Sequence, residues 1–232
     1  MHNVEQQHIM LALRENRLFR LIAPTHHGAL ANVAQRRVIP DKTTIVRKGE
    51  TGDEMFALVR GRVVMTSLSP EGKELTLGYL GAGDIFGEIA MLDGGPRTAN
   101  VTAIEPCEVL AFRRNAFLQF LRECPDVAIN FLTLLASRLR NTDQTLEDTS
   151  LRQLPCRLAR RLINLASDFG HATMGGVKIP IRLSQQDIGS MTGATRESVN
   201  RQLREWEGRG VIALEQGYIT IVDHARLSSL AE

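Results

Sequence analysis

The chain has 232 residues, 43% of them hydrophobic and 23% charged, with a formal net charge of +2. Such length and apolar content suffice for packed cores in two modest domains, while so small a charge does not by itself announce a nucleic-acid binder. There is no apolar run long enough to span a bilayer, the opening MHNVEQQHIM lacks the basic-then-apolar order of a secretory signal, and Cys107, Cys124 and Cys156 fit no zinc or disulfide spacing. A soluble, cytoplasmic protein with no metal and no membrane association is expected.

Charge is shared unevenly. Residues 151–232 hold 11 Lys and Arg against 8 Asp and Glu, and the residues before them 17 against 18. The C-terminal part is therefore the basic one, though only slightly.

In chain order, roughly Gln6 to Gln35 reads as short helices packed on a β-rich segment. From Arg36 to Phe112 come short β-branched or alternating runs (TTIV, FALVRGRVVMTSL, ELTLGYL, ANVTAI, CEVLAF) punctuated by glycines at 49, 52, 61, 72, 81 and 83. Short strands with regular glycine turns predict a β-barrel or jelly roll, with Ser69-Pro70-Glu71-Gly72 as a hairpin turn.

After Pro125 the period changes. Ala128, Leu132, Leu135, Leu139, Thr142, Leu146 and Thr149 alternate at spacings of four and three, a heptad seam suited to pairing with a second copy or to docking on the chain's own barrel. Thr142 interrupts the apolar seam, and a polar group there costs stability unless something hydrogen-bonds to it. A bound ligand is one such partner. The helix breaks near Leu154-Pro155, because proline suits the first turn of a new helix and disfavours helix geometry just before it. The domain boundary is placed at 148–154. Next come an amphipathic helix (CRLARRLINLASDFG) and a glycine-containing loop or hairpin (HATMGGVKIPIRL).

In LSQQDIGSMTGATRESVNRQLREWEGRGVI, Ser184 caps a short helix ending near Met191, Thr192-Gly193-Ala194 forms a turn, and Thr195 caps a second helix running to about Glu207. Two short helices joined by a Gly-containing turn make a helix-turn-helix. Val199, Leu203 and Trp206 form its buried face, leaving Arg196, Glu197, Asn200, Arg201 and Arg204 outward. Arginine bonds bidentately to guanine O6 and N7, and glutamate accepts from cytosine N4, so this face suits the major groove; a solvated face of ion pairs is the plainer alternative. Gly208-Arg209-Gly210 ends the helix, and VIALEQGYITIVD gives two short strands around Gln216-Gly217, a wing. Arg209 is a candidate phosphate contact.

GDIFGEIAMLDGGPRTANV joins a carboxylate, a short helical run and Arg-Thr at the start of a strand. For an anionic ribose phosphate, Arg97 pairs with the phosphate, the Thr98 hydroxyl donates to it, and the turn at Ile89-Ala90-Met91 adds backbone N–H groups. Glu88 accepts from a ribose hydroxyl and Gly87 permits close approach. A surface turn with a Glu–Arg ion pair is the alternative.

The combined motifs resemble the CRP/FNR family of bacterial regulators, in its cyclic AMP receptor protein branch. FGEIAMLDGGPRTANV is similar to that family's phosphate-binding cassette, and the likeness runs from about residue 30 to 225. It implies an α+β fold with three parts: a cyclic-nucleotide-binding β-jelly-roll with N-terminal helices (1–124), a long dimerisation helix and hinge (125–150), and a winged helix-turn-helix for DNA (151–232). The implied ligand is a 3′,5′-cyclic nucleotide. Cyclic AMP is favoured and cyclic GMP is compatible with Thr98 and Asp143. By aligned position the ligand meets Met65, Leu77, Gly78, Gly87, Glu88, Ile89, Ala90, Arg97 and Thr98, with Arg138, Thr142 and Asp143 reaching in from the long helix. The resemblance further implies palindromic TGTGA-type sites in double-stranded DNA, read by Arg196, Glu197 and Arg201 beside Asn200, with Ser184, Gln186 and Thr195 on phosphates. A homodimer and contact with RNA polymerase are its implied partnerships. Binding is expected to act through the helix at Thr142 and Asp143.

A redox or haem-based gas sensor of the same superfamily is the alternative. It would need an N-terminal cysteine cluster, absent because the first cysteine is Cys107, or haem on His26 or His27. No HExxH, GxxxxGK[ST] or nucleophile–base motif suggests an enzyme.

Overall fold

The computed structural model describes residues 2–16, 18–70 and 72–232. Met1, Arg17 and Glu71, which fall within the expected first domain, lie outside the described residues. Two compact units result, one of residues 1–73 with 77–139 and one of residues 74–76 with 140–232.

The first unit opens with α1 (His2–Glu15), a 3-10 turn (Phe19–Leu21) and α2 (Pro24–Val33). Strand β1 (Ala34–Ile39) comes at once, so Gln35 belongs to a strand and not to the helical segment expected for it. The remaining strands are β2 (Thr44–Val46), β3 (Glu54–Arg60), β4 (Val63–Leu68), β5 (Glu74–Leu80, whose first three residues are assigned to the second unit), β6 (Ile85–Phe86), β7 (Asn100–Ala103) and β8 (Cys107–Arg113), with α3 (Glu88–Asp93) between β6 and β7. They pair into two four-stranded sheets of order β1-β8-β3-β6 and β2-β7-β4-β5. At the expected hairpin turn, Gly72 N–H donates to Ser69 O at 3.0 Å and Ser69 N–H to Lys73 O at 2.9 Å.

Strand β3 explains why simple alternation is absent from its sequence. Met55, Phe56, Ala57 and Leu58 are all buried. Met55 and Ala57 pack with helical residues such as Leu13, Phe19 and Phe117. Phe56 and Leu58 join Val109 of the same sheet and Val46 and Val63 of the other in the second core. A strand covered on both faces reads as a continuous apolar run. Phe19, Phe112, Phe117 and Phe131 form a connected aromatic group with neighbouring centroids 5.4–6.3 Å apart, each burial contributing roughly 1.5–3 kcal/mol.

Two helices close this unit. The first, α4 (Arg114–Glu123), buries Phe117 and Phe120, three residues apart on one face. The second, α5 (Pro125–Leu151), starts where the sequence places it. Val127 and Phe131 are buried in the core, with Leu134 and Leu135 packed against it. Leu132, Leu139 and Leu146, seven residues apart, are 64, 62 and 66% exposed. The helix thus docks on its own barrel and still presents an apolar row.

The second unit contains the end of α5, then α6 (Leu154–Phe169), β9 (His171–Thr173), β10 (Gly176–Ile179), α7 (Gln185–Thr192), α8 (Arg196–Gly208), β11 (Ile212–Glu215), β12 (Tyr218–Ile221) and α9 (His224–Leu230). Pro155 stands in the first turn of α6, which buries Leu158, Ala159, Leu162, Leu165 and Ala166 as one stripe. The open choice at HATMGGVKIPIRL resolves to a hairpin. It joins the wing in a four-stranded sheet of order β11-β12-β10-β9. Helix α9 was not expected; Asp223 caps it by accepting from Arg226 N–H at 2.9 Å, and Leu227 anchors it in the core.

Candidate functional site

In the first unit, Gly87 caps α3 with φ of 77°, a left-handed conformation, and a β-carbon there would lie 2.6 Å from Arg97 Nη1. Glycine satisfies both constraints at once. Arg97 Nη1 donates to Gly87 O at 2.8 Å, which ties the guanidinium to the start of α3. The Arg97 backbone is fixed as well, donating to Glu50 O and accepting from Gly49 N–H, each at 2.8 Å.

Arg97 is only 8% exposed, and among the described residues it forms no ion pair. Burial draws its pKa down, against the opposing pull of Asp53, Glu54, Glu88 and Glu50. A buried cation with a carbonyl but no anion in contact is costly. An incoming anionic oxygen would relieve that cost.

Glu88 is 4% exposed. Its partner is Arg138, whose Nη1 lies 2.6 Å from Glu88 Oε1 while its Nη2 donates to Ile85 O at 2.6 Å. The simple Glu88–Arg97 surface pair is thereby excluded, and Arg138 stands beside Glu88 at the start of α3. Ala90 is buried, whereas Ile89 and Thr98 are exposed. Met65 and Gly78 come together on β4 and β5, where a β-carbon on Gly78 would meet Met65 Cε at 3.7 Å, and Leu77 is 42% exposed. Thr142 and Asp143 are exposed on the part of α5 that belongs to the second unit.

The second unit places the DNA-reading set on α7 and α8. Ser184 Oγ accepts from Asp187 N–H at 3.1 Å while Ser184 N–H donates to Asp187 Oδ2 at 2.8 Å, a reciprocal capping box. Thr195 Oγ1 accepts from Ser198 N–H at 3.3 Å. Within α7, Gly189 lets the turn between the helices pack close against it, since a β-carbon there would lie 2.7 Å from Ala194 O. Val199, Leu203 and Trp206 are buried, and Arg196, Glu197 and Arg201 are exposed, as is Gln186 on α7.

The exposed face of α8 divides by partner. Arg204 pairs with Glu207 at 2.8 Å and Arg209 with Glu205 at 3.0 Å. Among the described residues Glu197 and Arg201 form no ion pair. The solvated-pair reading therefore describes the C-terminal end of the helix and not its N-terminal end.

A cluster at the root of this unit escaped the sequence reading. Asp148 Oδ1 receives Arg152 Nε at 3.2 Å and Arg160 Nη1 at 3.0 Å. Arg157 donates to Arg152 O at 2.8 Å and to Thr192 O at 3.0 Å, joining the end of α5 to the end of α7. The i,i+4 pair of Asp148 and Arg152 was available as a signal. The contacts of Arg157 to backbone carbonyls were not, one of them 35 residues away.

The residues of the rival sensor are engaged otherwise. His26 Nδ1 lies 3.1 Å from Cys124 Sγ, and His27 is buried with Nε2 3.1 Å from Phe19 O. Burial pushes the Cys107 and Cys124 thiols up. Among the described residues no group of three or more His, Cys, Asp or Glu side chains is arranged to hold a metal, and no helix is long and apolar enough to cross a membrane.

Two family models match the chain: a cyclic nucleotide-binding domain over residues 36–124 and a Crp-like helix-turn-helix domain over residues 156–230. The CRP-like cAMP-activated global transcriptional regulator of Mycobacterium tuberculosis is 33% identical, over 92% of this chain and 96% of that protein. The chain belongs to the CRP/FNR family. Another member, the cyclic AMP receptor protein of Thermus thermophilus, is 31% identical over 92% of this chain and 96% of its own length. The fold is shared with a c-di-GMP responsive global regulator of Xanthomonas campestris, at a TM-score of 0.75 and 19% identity over 86% of this chain and 99% of that one. As a family member the protein is a transcription regulator and not an enzyme, with a cyclic nucleotide-binding domain and a DNA-binding helix-turn-helix.

Proposed function

We propose that the regulator is a cyclic AMP-dependent homodimer that binds palindromic TGTGA-type DNA. The observation that carries the ligand reading is Arg97, a buried guanidinium clipped to the start of α3 without an anion in contact. A cyclic phosphate supplies that anion, with Thr98 donating its hydroxyl and Glu88 accepting from the ribose. Met65, Leu77 and Gly78 line the ribose and base, beside the backbone of Gly87, Ile89 and Ala90. Arg138, Thr142 and Asp143 complete the contacts from α5.

In this reading residues 1–124 bind nucleotide, 125–150 dimerise and 151–232 bind DNA. The exposed row of Leu132, Leu139 and Leu146 supports dimerisation, since apolar residues repeated every seven supply one of the two positions of a coiled-coil seam. Ligand then favours the placement of two α8 helices in successive major grooves, about 34 Å apart, by binding that state more tightly than the other. Arg196, Glu197 and Arg201 read the half-site, while Ser184, Gln186 and Thr195 hold phosphates. RNA polymerase is the further partner, and the cytoplasm the compartment.

Cyclic GMP is the second reading. It is favoured by Thr98, whose hydroxyl can also meet the guanine amino group, and by the carboxylate of Asp143. Calorimetric titration of both nucleotides, followed by DNA binding with each, tests the proposal. Tighter DNA binding with cyclic AMP alone supports it; activation by cyclic GMP alone replaces the ligand, and activation by neither rejects the ligand reading. Sedimentation of a monomer at micromolar concentration would reject the dimer.

A further inference from the structure

Three polar side chains on the helix-turn-helix form a chain of hydrogen bonds with a fixed direction. Arg196 Nε donates to Gln185 Oε1 at 3.4 Å, and Gln185 Nε2 donates to Asn200 Oδ1 at 3.0 Å. Gln185 stands first on α7 and is half-buried, as is Asn200 on α8. An amide presents an acceptor on one side and donors on the other, and rotating it by half a turn exchanges them. Arginine removes that ambiguity, because it has donors only. With Arg196 on one side, Gln185 must turn its oxygen toward the guanidinium and its nitrogen toward Asn200. Asn200 must in turn offer its oxygen to Gln185 and direct its NH2 away.

We infer that Gln185 is a positioning residue that sets Asn200 as a hydrogen-bond donor toward the DNA. Arg196 and Asn200 are four residues apart, on the face that also carries Glu197 and Arg201, so the relay orders one continuous reading surface. The bond from Arg196 uses Nε, leaving Nη1 and Nη2 as the pair that matches guanine O6 and N7. An asparagine held with NH2 outward prefers an acceptor edge, guanine O6/N7 or thymine O4. It is not arranged for the bidentate contact to adenine N6 and N7 that a freely rotating asparagine makes. The inference rests on α8 as the base-reading helix.

The experiment enriches bound DNA from a pool with randomised half-sites, using the full-length wild type, Gln185→Glu, Asn200→Asp and Asn200→Ala. Selections run without nucleotide, with cyclic AMP and with cyclic GMP. In Gln185→Glu both carboxylate oxygens accept, so Arg196 keeps its partner while Asn200 must donate inward and expose its oxygen. At one position of the motif the wild type should prefer guanine or thymine. Gln185→Glu and Asn200→Asp should reverse that preference to cytosine or adenine by roughly fivefold or more, and Asn200→Ala should abolish it. The guanine preferences set by Arg196 and Arg201 should persist in all four proteins, which also reports that each is folded. The inference is overturned if Gln185→Glu selects the wild-type motif unchanged, or weakens every sequence equally, as loss of a phosphate contact would. A wild type that enriches a motif only without cyclic AMP sinks the ligand proposal and leaves this test intact. One that enriches no motif in any condition sinks α8 as the reading helix and this inference with it.

Discussion

Arg97 and Arg201 carry the same guanidinium in opposite settings. Arg97 is 8% exposed, held by Gly87 O and its own strand-like backbone contacts. Arg201 stands in solvent on α8, among the described residues without an ion pair. Folding has already desolvated the first, so a matching anion gains most of the electrostatic attraction with little further cost. The second remains hydrated until DNA arrives, and its contribution depends on how well the exposed face is arranged beforehand. A buried cation selects its ligand by need, an exposed one by geometry.

The largest expected effect comes from breaking the buried side of this comparison. Arg97→Ala removes two charge-assisted bonds to phosphate, worth about 3 kcal/mol together, or roughly 150-fold in affinity. Calorimetry with cyclic AMP should show that loss while circular dichroism stays unchanged. Retention of binding within threefold would mean that Arg97 does not hold the phosphate.

On the exposed side, Arg201→Ala should leave nucleotide affinity within twofold and weaken specific DNA by about 2 kcal/mol, roughly thirtyfold per half-site. Fluorescence anisotropy on specific and scrambled duplexes separates the two, because only the specific duplex should lose affinity. Thr142→Ala tests whether the regions communicate. The ratio of DNA affinity with and without cyclic AMP should fall roughly five- to tenfold, in the range of ordinary coupling energies. An unchanged ratio would place the coupling elsewhere.

Legibility in the sequence followed the same division. The cassette from Gly87 to Thr98 and the helices capped by Ser184 and Thr195 were readable, because their contacts are local: a cap reaches three residues and a cassette ten. The partner of Glu88 lies 50 residues away in the sequence; the family likeness implies only that Arg138 reaches the ligand, and the pairing itself had no signal. The bonds of Arg157 to Arg152 O and Thr192 O had no sequence signature, since a carbonyl acceptor belongs to every residue type. Strands β1 and β6 were missed for another reason. Gln35, Arg36 and Arg37 give β1 no apolar alternation, and β6 is only two residues long. Helix α4 was missed despite its pattern, because its 10 residues lie directly between the last strand and the much longer heptad pattern that begins at Pro125.

The smallest effect sharpens the comparison most finely, by asking what holds the exposed face in place. Ser184→Ala breaks the reciprocal cap with Asp187 and should cost about 1 kcal/mol, lowering Tm by roughly 2–4 °C. In the proposed complex the same hydroxyl also faces a phosphate, so DNA affinity should drop a few-fold. Phosphate contacts carry no base information, so that drop should be equal on specific and scrambled duplexes, the opposite of Arg201→Ala. If Ser184→Ala instead lost affinity only for the specific duplex, the cap would be acting on the base-reading face through the orientation of α7. Gln185, the next residue, would then be the route.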